Sequence, residues 1–297
     1  YRHIKKQDPE LGALGVKQVF NLEEAFAYNP EIAFITNPTA LHMKYAILSV
    51  KRGCNIFMEK PLSNNLNGFE ELEKEVRKRR LFFFIAYNLR FHPLIFNFKK
   101  LIQKKRIEGP YIMKVDTGHY LPSWKPEEDY ACSFRCRKKD GGGTILDLSH
   151  EIDYLYWWLG KPKEIVCNNN KLSNLKIDIE DNSDIILKYQ DGSIVQIHLD
   201  LINKRAKRKI TLVGRNATAV CDLIDNNMKI YYRGGKMIYL NPKEGVKETY
   251  AKELKFFFSK LEKKERTKMG LNSARDVMEI ILASYDSDKK AEKIVLK

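Results

Sequence analysis

The feature that most constrains this chain is the alternation of short apolar runs with charged, amphipathic stretches over its first ninety residues. Residues 16–20 form a short strand candidate. Asn21 then opens a short helix, with Glu24 completing a capping box. Residues 31–36 contain Ile-Ala-Phe-Ile-Thr, a run suited to a buried parallel strand. Residues 39–52 have helical periodicity and stop at Gly53, a natural C-terminal cap. Residues 55–58 give the next strand. Residues 67–80 give a charged helix opened by a capping box of Asn67 and Glu70. Residues 81–87 give a third apolar strand. Strands alternating with helices predict parallel crossover units in a doubly wound sheet. Ligands of such sheets bind just past the carboxyl ends of the strands. Those ends carry Asn37-Pro38, Glu59-Lys60-Pro61 and Asn88, three polar clusters that outline one side of a crevice.

From about residue 110 the pattern changes. Residues 111–117 read as a strand. Residues 184–189 and 193–201 flank Asp191-Gly192, a strong hairpin signal. Residues 208–213 and 218–223 flank another turn, and 228–232 and 236–240 flank Arg233-Gly234-Gly235. Consecutive hairpins predict a mainly antiparallel sheet. Two helices, 248–264 and 272–284, close the chain. The expected class is α/β, with a parallel-sheet domain over 1–92 and an α+β domain over 93–297. No Gly-x-Gly-x-x-Gly occurs, and Tyr1-Arg2 reads as the end of a second strand. About 25–30 residues holding the first strand, glycine turn and helix are therefore expected upstream.

Hydrophobic residues make up 43% of the chain, enough for a sizeable core. No run approaches the roughly 20 apolar residues that span a bilayer, and the opening Tyr-Arg-His-Ile-Lys-Lys does not read as a signal peptide. The net charge of +15 comes from lysines scattered among glutamates, a soluble surface rather than a nucleic-acid footprint. A basic cleft would still attract an anionic cofactor or nucleotide sugar. The five cysteines, an odd number without Cys-x-x-Cys spacing, argue against zinc and disulfide frameworks and for reduced thiols in a cytoplasmic protein.

Two constellations carry chemistry. Lys60 follows an apolar strand, and Pro61 biases it toward an extended backbone. A lysine there can hydrogen-bond a substrate hydroxyl and ease alkoxide formation as a hydride leaves. Glu59 can accept from a ribose hydroxyl. The second constellation begins at Gly141-Gly142-Gly143, a flexible lead into a helix running to Gly160. Its apolar stripe is Ile145, Leu148, Ile152, Leu155 and Leu159, while Asp147, His150 and Tyr154 fall on another. His150 lies about 200° round from Leu148, away from the core and facing solvent or a cleft. Histidine suits proton transfer near neutral pH. Asp147 either completes a capping box with Thr144 or contacts substrate, and Asp153 is either a structural partner or a second substrate ligand.

Met58-Glu59-Lys60-Pro61-Leu62-Ser63, Tyr87-Asn88-Leu89-Arg90-Phe91-His92-Pro93 and the Gly-Gly-Gly…Asp-Leu-Ser-His-Glu-Ile-Asp segment resemble the glucose–fructose oxidoreductase/inositol dehydrogenase family, written Gfo/Idh/MocA. The turn Asn37-Pro38-Thr39-Ala40-Leu41-His42 is similar to that family's turn near the cofactor. Residues 118–126 resemble members from surface-polysaccharide gene clusters. The resemblance implies a Rossmann domain, NAD or NADP as cofactor, a sugar or nucleotide-sugar substrate, and a homodimer or homotetramer. It implies catalysis by Lys60 and His150, with Asp147 binding substrate, although many members space that aspartate and histidine four apart rather than three.

Further candidates follow. Arg2, Asn37, Pro38, His42, Glu59, Lys60, Pro61, Asn88 and Arg137 are candidates for the cofactor, Arg2 by favouring a 2′-phosphate and Arg137 by meeting a phosphate. Arg90, His119, Tyr120, Trp124 and Asp147 are candidates for holding the sugar. The expected reaction is a hydride transfer between nicotinamide and a sugar hydroxyl or ketone. The rival reading is a non-catalytic NAD(P)-binding regulator of the same fold. No nucleic-acid, membrane or metal partner is expected.

Overall fold

The structure, a computed structural model, describes residues 8–124, 126–265 and 267–296. Two short helices, α1 (Pro9–Ala13) and α2 (Leu22–Ala27), precede strand β1 (Ile32–Ile35). Then follow α3 (His42–Lys51), β2 (Asn55–Glu59), α4 (Phe69–Arg79) and β3 (Phe83–Ala86). The three strands pair in parallel in the order β1-β2-β3. β3 is buried along its length, as expected of an apolar strand between crossovers. β1 is not, since Phe34 is 47% exposed and β1 lies at the edge of the described sheet. The glycine stop of α3 is a Schellman cap: Gly53 (φ +86°) donates to the Val50 carbonyl and Cys54 to that of Ser49.

Helix α5 (Pro93–Gln103) leads to β4 (Ile112–Tyr120), then α6 (Thr144–Asp147) and α7 (His150–Leu159). A run of strands follows: β5 (Glu164–Asn170), β6 (Asn182–Lys188), β7 (Ile194–Asp200), β8 (Ile202–Val213), β9 (Ala217–Asp222), β10 (Asn227–Tyr232) and β11 (Met237–Leu240). With β12 (Ile294–Val295) they form a nine-stranded sheet, ordered β11-β10-β9-β8-β4-β7-β6-β5-β12. Only β4–β7 is parallel, so the sheet is mixed and mainly antiparallel. The strands alternate buried and exposed residues, with one face against the helices.

Of the last two helices, α8 (Val246–Glu262) returns to the first sheet, while α9 (Leu271–Lys290) lies mainly against β5 of the second and also touches β3. Phe257 of α8 is fully buried, with the rings of Phe34, Phe57, Phe82 and Phe84 at 5.9, 5.2, 5.6 and 5.6 Å. Truncating such a side chain costs about 3–5 kcal/mol. No described helix is long and apolar enough to cross a membrane.

Several local expectations fail for identifiable reasons. Residues 16–20 join no ladder among the described residues; Gln18 exchanges hydrogen bonds with the main chain of Asp8 instead. The helix expected from 39 begins with a 3₁₀ turn, and α3 proper starts at His42. Helix α4 has no side-chain cap: Gly68 (φ +82°) occupies the N-cap, and the Asn67 amide donates to Asn65. Asn21 caps α2 through the Glu23 amide, without Glu24.

Candidate active site

Two turns at the carboxyl ends of β1 and β2 are joined by one imidazole. His42, 1% exposed, places Nδ1 2.8 Å from the Pro61 carbonyl and Nε2 2.8 Å from that of Asn37. A neutral ring donates to only one of them. Burial holds the His42 pKa below the ordinary range despite the two carbonyls. The brace fixes Lys60-Pro61, a cis peptide, beside the Asn37 turn. Around both lies a cavity of about 180 Å³, reached by Thr36, Asn37, Glu59, Lys60, Arg135 and Asp147.

The opposite wall is built by a helix that breaks. Residues 144–160 are not one helix but two, because the Glu151 amide donates to Leu148, not Asp147. A continuous α-helix would have used the Asp147 carbonyl for that bond. The freed carbonyl oxygen accepts instead from Lys60 Nζ. The Asp147 carboxylate lies 3.6 Å from the same ammonium and accepts from Arg135 Nε at 3.0 Å. Burial pushes the Asp147 pKa up, but Lys60, Arg135 and His119 outweigh it and hold the carboxyl below its ordinary range. The expected Thr144–Asp147 capping box is absent: Thr144 Oγ1 donates to the Glu180 carbonyl, and Gly143 is the N-cap.

The glycine run is closely packed rather than flexible. A Cβ on Gly142 would meet the Arg135 carbonyl at 2.3 Å, and one on Gly141 would meet the Ala40 amide at 2.7 Å. The run thus presses the Arg135 loop and the residue 39–40 turn together.

His150 begins α7 and packs edge-on against Tyr87, ring centres 5.6 Å apart. Burial, then the charges of Lys60 and Arg208, hold its pKa well below the ordinary 6.5. His119 packs edge-on against Trp124, ring centres 4.2 Å apart, and burial pushes its pKa down to about 4. Tyr120 lies under the Lys204 ammonium. Burial pushes the Glu59 carboxyl up, against the pull of Lys60 and Arg135.

Other predicted residues lie elsewhere. Arg2 is outside the described residues. Pro38 heads the 39–41 turn but does not line the cavity. Asn88 is buried with its amide on Thr249 of α8. Arg90, 4% exposed, spends its guanidinium on both Asp153 oxygens, at 2.8 and 2.7 Å, on Ser273 and on the Lys268 carbonyl. Asp153 is therefore its structural partner, and Arg90 is not free to hold a sugar. Arg137 pairs with Asp140 at 2.6 Å, 42% exposed; Arg135, two residues earlier, is the arginine at the cavity.

Glu151 and Arg208 form a further buried carboxylate–guanidinium pair beside His150. Glu151 is fully buried and accepts from Arg208 Nε (2.8 Å) and Thr117 Oγ1 (3.0 Å). Both residues carried a signal. Glu151 lies beside the apolar stripe, three residues after Leu148, and Arg208 shares the strand face of Ile210 and Leu212.

Asp147 Oδ2, His119 Nε2 and His150 Nδ1 are buried without hydrogen-bond partners among the described residues. Such orphans are rare in a finished interior. Together with the polar strand ends, they fit a nicotinamide cofactor and a polyhydroxy substrate meeting at this cleft.

Comparison with known proteins agrees. Residues 3–87 match the family model described as "Oxidoreductase family, NAD-binding Rossmann fold", and residues 97–220 match the GFO/IDH/MocA C-terminal domain. The chain is 23% identical over 299 residues to myo-inositol 2-dehydrogenase of Thermotoga maritima, covering 94% of this chain and 83% of that protein. Its fold is similar to aldose–aldose oxidoreductase of Caulobacter crescentus, solved with glycerol (TM-score 0.84, 16% identity, 97% of this chain and 88% of that one). It is also similar to the WlbA dehydrogenase of Chromobacterium violaceum, solved with NADH and UDP-GlcNAcA (TM-score 0.80, 17% identity, 97% and 84%).

Proposed function

The chain belongs to the GFO/IDH/MocA family and is an NAD(P)-dependent oxidoreductase of the sugar-dehydrogenase type; from that premise we propose that it oxidises or reduces one carbinol of a sugar or nucleotide sugar between Lys60 and His150. The observation that carries this reading is the hydrogen bond from Lys60 Nζ to the Asp147 carbonyl. It joins the first strand–helix half of the chain to the helix break three residues before His150. NAD or NADP, when bound past β1 and β2 beside Asn37, Glu59, Lys60 and Pro61, supplies the hydride acceptor or donor.

The protein's own groups do the rest. His150 is neutral at physiological pH, because burial and two neighbouring cations oppose its charging. A neutral imidazole takes the hydroxyl proton on its unprotonated ring nitrogen. Lys60 donates to the carbinol oxygen as negative charge develops there. Asp147 Oδ2 accepts from a neighbouring sugar hydroxyl, and its Oδ1, held by Arg135, keeps the carboxylate in place. The nucleotide-sugar reading draws on residues 118–126 and on the nucleotide sugar bound by WlbA.

The test is nicotinamide reduction, followed by absorbance, with a panel of sugars, polyols and nucleotide sugars. Lys60→Ala and His150→Ala should each lower kcat by roughly 10²–10⁴-fold. Melting temperature and nicotinamide affinity should change little. Near-normal turnover in both variants would end the assignment.

A further inference from the structure

A buried arginine and a partly buried one are each paired with a buried carboxylate, and they are paired differently. Arg90 grips Asp153 with both Nε and Nη2, and its Nη1 and Nη2 also reach the Lys268 carbonyl and Ser273. That is a saturated structural pair. Arg208 donates only Nε, to Glu151 Oε1 at 2.8 Å. Its guanidinium makes no other hydrogen bond or ion pair among the described residues, although only 18% of the side chain is exposed. A guanidinium has five N–H donors in a fixed fork, so four remain unspent.

The fork has a defined address. Arg208 lies opposite Thr117 in the β4–β8 ladder. Thr117 Oγ1 and Arg208 Nε converge on the same Glu151 oxygen. Glu151 is fully buried and directly follows His150 at the start of α7. His119, two residues beyond Thr117 on β4, is coupled electrostatically to Asp147 and to Arg208, and Arg208 also depresses His92 and His150. Arg208 therefore stands on the sheet face that packs against the start of α7, joined through Glu151 to the residue next to His150.

We infer that Arg208, seated by Glu151, holds an anionic group of the substrate through its free Nη pair, so that the sugar acted on carries a carboxylate or a phosphate. A planar fork matches either group bidentately, and its charge is worth more in a partly dry wall than at the surface. The inference rests on the proposed site but not on turnover. It predicts which sugars bind, whether or not hydride moves.

Binding tests it directly. Calorimetric titration of the full-length protein, with NAD⁺ present, compares D-glucuronate, glucose 6-phosphate and UDP-glucuronate with D-glucose. At least one acidic sugar is expected to bind at least about tenfold tighter than glucose, the lower end of a charge-assisted hydrogen bond's worth. The free acid, the phosphate and the nucleotide-linked acid identify which anion the fork takes. Arg208→Gln should lower that preference roughly tenfold to a hundredfold. Arg208→Lys, which keeps a charge beside Glu151, should fold even where the glutamine variant does not, and should lose part of the preference. Glucose bound as tightly as every acid, or acid and neutral sugars weakened by the same factor in the variants, would overturn the assignment. Failure of Lys60→Ala and His150→Ala to slow turnover would instead strike the proposed mechanism and leave these binding ratios standing.

Discussion

Glu253 of α8 is 2% exposed, and its Oε1 has no partner among the described residues. Burial, with Glu59 and Asp153 nearby, pushes its pKa up to about 9 from an ordinary 4.5. Between those values the folded protein keeps a proton that the unfolded chain releases, so stability falls as pH rises through the window. At pH 7 the penalty is on the order of 3 kcal/mol. Glu253→Gln should therefore raise the melting temperature by several degrees at pH 8 and by much less at pH 5. Thermal scans at both values check it; equal shifts would mean that ionisation is not the cause. At this scale the sequence was partly legible. Lys60, Asp147 and His150 stood out because each breaks an apolar pattern beside a strand end or turn. Arg135 and Arg137 could not be told apart, because short 3₁₀ turns carry no periodicity long enough to say which side chain points inward. Arg90 was misplaced because a motif names residue types, while its partner Asp153 lies 63 residues away.

Helix ends and breaks decide the site more than helix bodies do. The gap between α6 and α7 is what frees the Asp147 carbonyl for Lys60, and no heptad-style count reveals it, since the apolar stripe continues unbroken through 148 and 152. The glycines before it make a sharp prediction. Gly142→Ala places a Cβ 2.3 Å from the Arg135 carbonyl, so the Arg135 loop must move. Turnover should fall at least about tenfold, the response expected when a supporting loop shifts by tenths of an ångström or more. Gly53→Ala is the control: its Cβ meets nothing within 4 Å, and only the left-handed backbone resists. It should cost roughly 1–2 kcal/mol of stability and leave kcat unchanged. Denaturant melts and steady-state rates on both variants separate the two effects.

Across the whole molecule, histidines set an acid limit. His92 and His119 are each pushed down to about 4 by burial, and His42 and His150 are also lowered. A lowered histidine resists protonation in the folded state, so stability is lost as pH falls below the unfolded value of 6.5. His92 and His119 should each forfeit roughly 2 kcal/mol by pH 5. His198 runs the other way: Asp200 and Asp184 raise it to about 9, so its contribution is present in acid and fades as pH climbs through 9. The melting temperature should drop steeply between pH 6.5 and 5, and His92→Asn, which can still cap α5 in place of the Nδ1 bond to Leu94, should blunt the drop. An unchanged slope would exclude His92 as a source. The parallel and antiparallel halves were legible from periodicity and turn residues. The return of α8 was not, because a helix's amphipathic stripe does not say which sheet it will cover. That return has a consequence for synthesis. Strands β1 to β3 leave the ribosome well before α8, and the ring that fills their open face, Phe257, emerges some two hundred residues later. At about 5–20 residues per second, Phe34, Phe57 and Phe84 wait roughly ten to forty seconds uncovered. The nascent half is thus the stage at which a chaperone, or a neighbouring nascent chain, has its opportunity.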